Sequence, residues 1–484
     1  MFTMLPRMKA ILLVAFILLA TLHSINAQLS PDSIEIMIRQ EVVNKRSVGI
    51  AVGIVDSTGR KFYSYGKVRD NSPLKPDSNT LYEIGSITKV FTSLLLADMA
   101  TKGELKLNDP ISKHLPKTVK SPNQNGREIT LLDLSAHRSG LPRNPDNWHD
   151  DTPYNPLDGY SLDSMYSFIS KFKPTRQIGS KYEYSNYGVG LLGHILSLVA
   201  RKGFDTLLRE RILIPLEMNN TTMGIGSYDR LRLAQGHNVV QRPVPTSNFG
   251  ATAPCGGLIS SVKDLLTLLE ANMGLRETTL KPAIDLMQLY YGDTDRADLM
   301  AGLAWVHGRD KELGILAHGG GTGGYSTFAV IDTVRKVGVV VLSNSTIGIS
   351  DLALHILRPT HPFIPYQSNW TLYDSLSLGS YEVGTVCRLY NSLKAKKPKG
   401  FIFNEDQLNT LGYDYLWAGK IDYAIKIFKL NVKEYPNNWN VYDSLGEAYM
   451  KKGNKRKAIA NYERSISMNP KNVYGMKMLQ KLRN

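Results

Sequence analysis

The chain is 484 residues long, 42% hydrophobic and 21% charged, a globular composition with enough length for two or three domains. Its formal net charge is +15, but the basic residues are spread along the chain apart from "KAKKPK" and "KKGNKRK". Both clusters read as solvated faces or loops, so no nucleic-acid partner is expected. The two cysteines, Cys255 and Cys387, lie far apart, which implies neither a disulfide framework nor redox chemistry.

Residues 1–27 read as an export signal. Arg7 and Lys9 give a basic start, Ala10–Leu22 is an apolar run, and Ala27 offers a small residue for cleavage. Polar residues follow the run at once, and a membrane-spanning helix needs about 18 or more apolar residues. After cleavage no transmembrane span is expected, and the product is expected to be exported, periplasmic or extracellular. No cysteine sits near the cut to carry a lipid. The charge falls to +13 once Arg7 and Lys9 leave with the signal.

Residues 28–358 alternate strand-like and helix-like signals. "VGIAVGIVDSTGRKFYSYGKV" holds two β-branched and aromatic runs joined by Ser-Thr-Gly, the pattern of a hairpin. "TFAVIDTVRKVGVVVLSN" repeats the device near the end, with Asp332–Lys336 as its turn. Between them "GVGLLGHILSLVARKG" and "VKDLLTLLEANMG" read as amphipathic helices, each ending at a glycine able to form a left-handed cap, Gly203 and Gly274. First and last strands able to pair in one antiparallel sheet, with helices between, predict α+β layers.

"YEIGSITKVFTSLLL" places Ser86 three residues before Lys89 at the start of an apolar run. On a helix these positions share a face, bringing hydroxyl and amine within hydrogen-bonding reach. A serine becomes nucleophilic when a base takes its proton, and lysine can be that base; the same pair also suits a helix cap followed by a surface lysine. In "YEYSNYGVGLLG", Tyr184 and Asn186 stand two apart just before a helix, either as a phenol and an amide facing one site or as a packed tyrosine beside a cap formed by Ser185 or Asn186. "HGGGTGGYSTFAV" puts His318 at the head of a glycine run that gives the backbone close access to a ligand, or else forms a flexible loop.

In this order the three pieces resemble the serine β-lactamase and penicillin-binding protein family, most closely its class C and esterase-like branch. Ser86 and Lys89 match its Ser-x-x-Lys element, Tyr184 and Asn186 its Tyr-x-Asn, and His318 and Gly320 its Lys/His-x-Gly. "LLDLSAHRSGLP" and "APCGGLISSVKDLLTLL" look like accessory stretches of the family, and the resemblance covers roughly residues 42–344. It implies a β-lactamase/transpeptidase-like antiparallel sheet with helices, and acyl transfer on an amide, lactam or ester. Ser86 would attack, Lys89 and Tyr184 would share the proton shuttling, and the backbone N–H groups of Ser86 and Gly321 would hold the oxyanion. Asn186 and His318 would orient substrate and Tyr184. No metal or cofactor is implied.

Other residues are assigned elsewhere. His137 is read as holding the accessory loop, and Cys255 as a small buried hydrophobe where the family usually has a small residue. Trp148, Tyr154 and Tyr160 lie where the cleft wall varies, on the wall or in the core. Histidine in place of the class C lysine at 318 removes a permanent positive charge at neutral pH and shifts the expectation toward esterases and D-amino-acid peptidases. Two other classes compete. One is a cell-wall peptide or lactam sensor that turns over negligibly, although a pure binder has no need of the full catalytic set. The other is an α/β-hydrolase, suggested by "HGGG" but lacking a Gly-x-Ser-x-Gly elbow.

The Pro-containing residues 359–370 read as a linker, and residues 371–484 as an all-α repeat domain. "LNTLGYDYLWAGKIDYAIKIFKLNVKEYPNN" and "YDSLGEAYMKKGNKRKAIANYERSISMNPKN" match at Leu411/Leu445, Gly412/Gly446, Tyr415/Tyr449, Gly419/Gly453, Ala424/Ala458, Phe428/Tyr462 and Pro436/Pro470, every pair 34 residues apart. That period resembles tetratricopeptide repeats, with Asn431 and Ser465 departing where alanine is common. Two units are fewer than the roughly three that bury a continuous core, so Leu372–Leu393 is expected to supply a further packing helix. The repeats would bind a protein partner or stabilise the hydrolase.

Overall fold

In the computed structural model, strand β1 (Gly49–Asp56) divides its side chains by the two-residue period of a strand. Ile50, Val52 and Ile54 enter one apolar cluster, Ala51 and Val55 another. A strand buried on both faces needs cover on both sides, and helices provide it. The structure describes residues 29–363, apart from 71, 149–158, 225, 227, 228, 239 and 240, and residues 382–483, apart from 397–402, 418 and 471. The expected signal, most of the expected linker, Tyr154 and the first part of Leu372–Leu393 lie outside the described residues. Two compact units form: one takes most of the chain as far as residue 364, the other residues 365–484 with the short segments 43–46 and 239–241.

The first unit is built on an antiparallel sheet. Its strands are β1, β2 (Gly59–Gly66), β5 (Gly292–Asp293), β6 (Leu299–Ala301), β7 (Val306–Gly308), β8 (Ile315–Gly321), β9 (Ser326–Asp332) and β10 (Val337–Ser343), while β3 (Leu81–Glu83) and β4 (Ile259–Ser261) pair separately. The spatial order is β2-β1-β10-β9-β8-β7-β6-β5. Both expected hairpins form, and β1 pairs with β10 in register Ile50 to Ser343, joining the first strand to the last as the sequence predicts. The Asp332 carboxylate accepts the Arg335 N–H at 2.8 Å in the second hairpin's turn, and Lys336 takes φ 53°.

Helices α1 (Pro31–Val43) and α5 (Ser350–Leu357) cover the face bearing Ile50, Val52 and Ile54. On the other face α4 (Val262–Met273) lies against Ala51, Val340 and Leu342, in a cluster it shares with α2 (Thr88–Thr101) and α3 (Asn186–Ala200). Helix α4 ends on Gly274 at φ 71° as expected. Helix α3 does not end on Gly203: Arg201 takes the left-handed turn at φ 52°, because Gly203, at φ −59°, already starts the next short helix, Phe204–Leu208.

The second unit is helical: α6 (Val383–Lys396), α7 (Glu405–Trp417), α8 (Ile421–Glu434), α9 (Trp439–Lys451), α10 (Lys455–Met468) and α11 (Val473–Arg483). The 34-residue pattern becomes packing here. A Cβ at Gly412 would stand 2.3 Å from Phe428 Cε1, and one at the equivalent Gly446 3.3 Å from the Tyr462 ring, so each glycine lets an aromatic ring rest on the preceding helix. The two departures from alanine are hydrogen bonded: buried Asn431 donates to the Glu405 carbonyl at 2.9 Å, and buried Ser465 accepts from Asn472 at 2.9 Å. Val383, Val386 and Tyr390 of α6 join this core.

The sheet tolerates little added volume where α4 crosses β1. A Cβ on Gly53 would lie 2.3 Å from Val262 Cγ1 and 2.8 Å from Leu266 Cδ1. Gly53→Ala is therefore expected to destabilise this unit by about 1–3 kcal/mol, measured as an earlier urea or thermal transition; an unchanged midpoint would show that α4 has room to shift.

Candidate active site

Ser86 owes its position to glycines. Gly85 takes φ 51°, and a Cβ there would fall 2.6 Å from Gly321 N; a Cβ on Gly320 would fall 2.0 Å from Ile84 O. Only without those carbons can the end of β8 lie against the 3-10 turn Gly85–Ile87. Thr327 of β9 closes the contact by donating to Ile84 O at 2.9 Å. Helix α2 then runs inward with Val90, Phe91, Leu94, Leu95 and Leu96 all fully buried, the pattern of a central helix.

Lys89 on the first turn of α2 is 0% exposed. Its Nζ donates to Ser86 Oγ at 3.0 Å, Asn186 Oδ1 at 2.9 Å and Cys255 O at 2.7 Å. An ammonium has three donors and each finds an acceptor. Ser86 Oγ, half-buried, accepts from this lysine, and no side chain caps α2. The spacing therefore produces the hydroxyl–amine contact rather than a helix cap.

The two readings of "YEYSN" hold together. Ser185 is the N-cap of α3, its Oγ accepting Gly188 N–H at 2.9 Å and donating to Pro142 O at 2.7 Å. With the cap fixed, Asn186 reaches Lys89 and the Tyr184 ring centroid lies 4.9 Å from Lys89 Nζ. The His318 ring stands 6.5 Å from that of Tyr184. Thus Ser86, Lys89, Tyr184, Asn186, His318, Gly320 and Gly321 gather from the 3-10 turn, the first turn of α2, the entry to α3 and the end of β8. Such a group can pass a proton between the Ser86 hydroxyl and the Lys89 amine, and the backbone of Gly321 adjoins that of Gly85.

His318 is 5% exposed, and its Nδ1 lies 2.7 Å from Gly319 O, to which it donates, leaving Nε2 as an acceptor. Burial, with the Lys89 charge nearby, pushes its pKa down to about 4, so the ring is neutral at neutral pH.

Three contributors escape a reading of side-chain motifs. Asn144 Oδ1 accepts from Asn186 Nδ2 at 3.0 Å, which turns the amide oxygen of Asn186 toward Lys89. Arg143 O accepts Asn186 N–H at 2.8 Å, and its guanidinium carbon lies 4.9 Å from the Tyr184 centroid. Both residues directly follow "SGLP", the end of a loop the sequence does single out. Cys255 is buried as expected, beside Val189, but what reaches the site is its carbonyl, which no residue type announces. Tyr160 is buried and Trp148 packs against the core. Among the described residues no group of three or more His, Cys, Asp or Glu is placed to hold a metal ion, and no helix is long and apolar enough to cross a membrane.

The chain belongs to the beta-lactamase family, whose model matches residues 34–357, and a tetratricopeptide repeat model matches residues 440–472. It is 29% identical over 335 residues to the D-alanyl-D-alanine-carboxypeptidase/endopeptidase AmpH of Escherichia coli K12, covering 64% of this chain and 85% of that protein. It is 25% identical over 351 residues to a beta-lactamase of Pseudomonas fluorescens, covering 66% and 93%. Among solved structures, a beta-lactamase/D-alanine carboxypeptidase from Yersinia pestis complexed with citrate superposes with a TM-score of 0.58 at 28% identity, over 66% of this chain and 95% of that one. The chain is accordingly a serine hydrolase.

Imidazoles wholly or partly buried are expected to make the unit sensitive to acid. His318 and His307 are both held at about 4, and His137 and His194 are lowered too, burial being the first cause in each. Below the unfolded value near 6.5 the unfolded chain takes up protons that the folded one refuses, so stability falls from about pH 6.5 down to about pH 4. The thermal midpoint is expected to drop between pH 7 and pH 4.5, and less steeply in His318→Asn. An identical slope in that variant would show that His318 does not titrate as its burial dictates.

Proposed function

We propose that this protein is an exported hydrolase that opens amides, lactams or esters through an acyl-enzyme on Ser86. In acylation, Ser86 Oγ attacks the carbonyl carbon while its proton passes to Tyr184, or to Lys89 once that ammonium has given up a proton and is a neutral amine, and the tetrahedral oxyanion is held by the N–H groups of Ser86 and Gly321. Collapse breaks the bond to the leaving nitrogen or oxygen, which receives the proton. Water then attacks the acyl carbon and gives a proton to the shuttle; collapse breaks the bond to Ser86 Oγ, which takes that proton as the acid leaves. Asn186 orients the substrate carbonyl and His318 the substrate and Tyr184. The carrying observation is the buried Lys89 with its Nζ on Ser86 Oγ.

The neutral His318 favours substrates that do not depend on a lysine-like charge for a carboxylate, which points to esters and D-amino-acid amides ahead of penicillins. Export rests on residues 1–27. The repeat unit is proposed to dock a protein partner.

The deciding experiment labels the signal-less protein with a fluorescent penicillin beside Ser86→Ala, read by intact mass over time. A Ser86-dependent adduct is expected, and its lifetime separates slow penicillin binding from β-lactamase turnover. An adduct that survives in Ser86→Ala would overturn the assignment. Without any adduct, p-nitrophenyl esters and D-amino-acid amides become the substrates to test, and silence there would favour a sensor over an enzyme. His318→Lys is expected to speed penicillin acylation about tenfold by restoring a charge-assisted contact, measured as the second-order labelling rate; no gain would place carboxylate recognition elsewhere.

A further inference from the structure

His137 does more than hold its own loop. It follows the short helix Leu131–Ser135 and adopts a left-handed backbone at φ 57°, a conformation uncommon for a residue with a side chain. In that posture it meets both neighbours of Tyr184. Its carbonyl accepts Glu183 N–H at 2.7 Å, and its ring Nδ1 accepts Ser185 N–H at 3.1 Å. A neighbouring strand would offer two carbonyls to such alternate N–H groups; here one acceptor is backbone and the other imidazole. Between those anchors the ring lies on the Tyr184 ring, with centroids 4.4 Å apart and planes tilted by 34°, and Tyr182 meets it edge-on at 5.6 Å.

We propose that His137 is a positioning residue for Tyr184, fixing the phenol for proton transfer through two backbone anchors and a stacked ring. The inference rests on the proposed role of Tyr184. Because Nδ1 accepts, the neutral ring carries its proton on Nε2, which is buried with no hydrogen-bond partner among the described residues. A second proton would turn Nδ1 from acceptor to donor and set it against Ser185 N–H. Burial opposes that charge first, then Lys89 and Arg143 facing the ring, with His318 adding to them only once it is itself protonated. The carbonyl's bond to Glu183 N–H does not depend on the side chain; the ring nitrogen adds the second tie, to Ser185, on the far side of Tyr184.

The test measures Ser86 acylation by a p-nitrophenyl ester in the full chain without its signal. His137→Asn, whose Oδ1 can stand in for Nδ1, is expected to keep kcat within about threefold. His137→Gln and His137→Ala are expected to lose about ten- to a hundredfold in kcat with KM little changed, the scale of a misplaced reacting group. In a Tyr184→Phe background the His137→Ala loss should shrink to under about twofold, since coupled residues are non-additive. Full additivity in that cycle, or equal losses for Asn and Gln, would overturn the proposal. If the Ala variant does not fold, the Asn and Gln pair decides. Should Tyr184→Phe alone cost nothing, the role of Tyr184 fails and this inference with it, a result distinct from additivity.

Discussion

A lysine removed from water must have its protons bonded, because an unpaired buried charge costs far more than a folded domain can spare. Lys89 meets that condition with three acceptors from three separate segments: the hydroxyl on its own turn, the amide at the start of α3 and the carbonyl of Cys255. Each segment is thereby held to the others. The Asn186 amide must point one way, so Asn144 must be there to receive its nitrogen. The loop carrying Asn144 is in turn fixed by Ser185, whose cap closes onto Pro142 O. The Ser86–Lys89 pair and the fold around it are one hydrogen-bonded system.

Much of this is legible in the sequence where spacing alone decides geometry. Ser86 and Lys89 share a helix face by periodicity, and the two hairpins follow from their turn residues. The 34-residue period predicts which glycine meets which aromatic. What escapes is backbone and approach. No residue type announces that a cysteine contributes only its carbonyl, or that Arg143 and Asn144 extend the site two residues past a recognisable loop. The end of α3 misleads for a similar reason: a glycine two residues on is the natural cap by propensity, but the next helix claims it, and Arg201 bears the left-handed turn.

His318 joins the two halves of the picture. The sequence places a histidine where resemblance to class C enzymes leads one to expect lysine; the structure adds that this histidine is buried and donates to the adjoining carbonyl. Burial turns a residue poised to titrate near neutrality into one that stays neutral. Among the described residues the cations beside Tyr184 are Lys89, engaged in holding the site together, and Arg143.

The pairing of β1 with β10 also governs how the chain can be made. Ser47 and Ser343, which share a hydrogen bond at 2.7 Å beside that seam, are 296 residues apart. Until the ribosome has released the last strand, β1 has its hairpin partner β2 but presents its other edge unpaired. The sheet is thus completed only late in synthesis, through contacts of very long sequence separation, which are the slowest kind to form. A nascent chain that stops short of residue 337 keeps an open apolar edge, and its protection until then falls to whatever receives it from the ribosome.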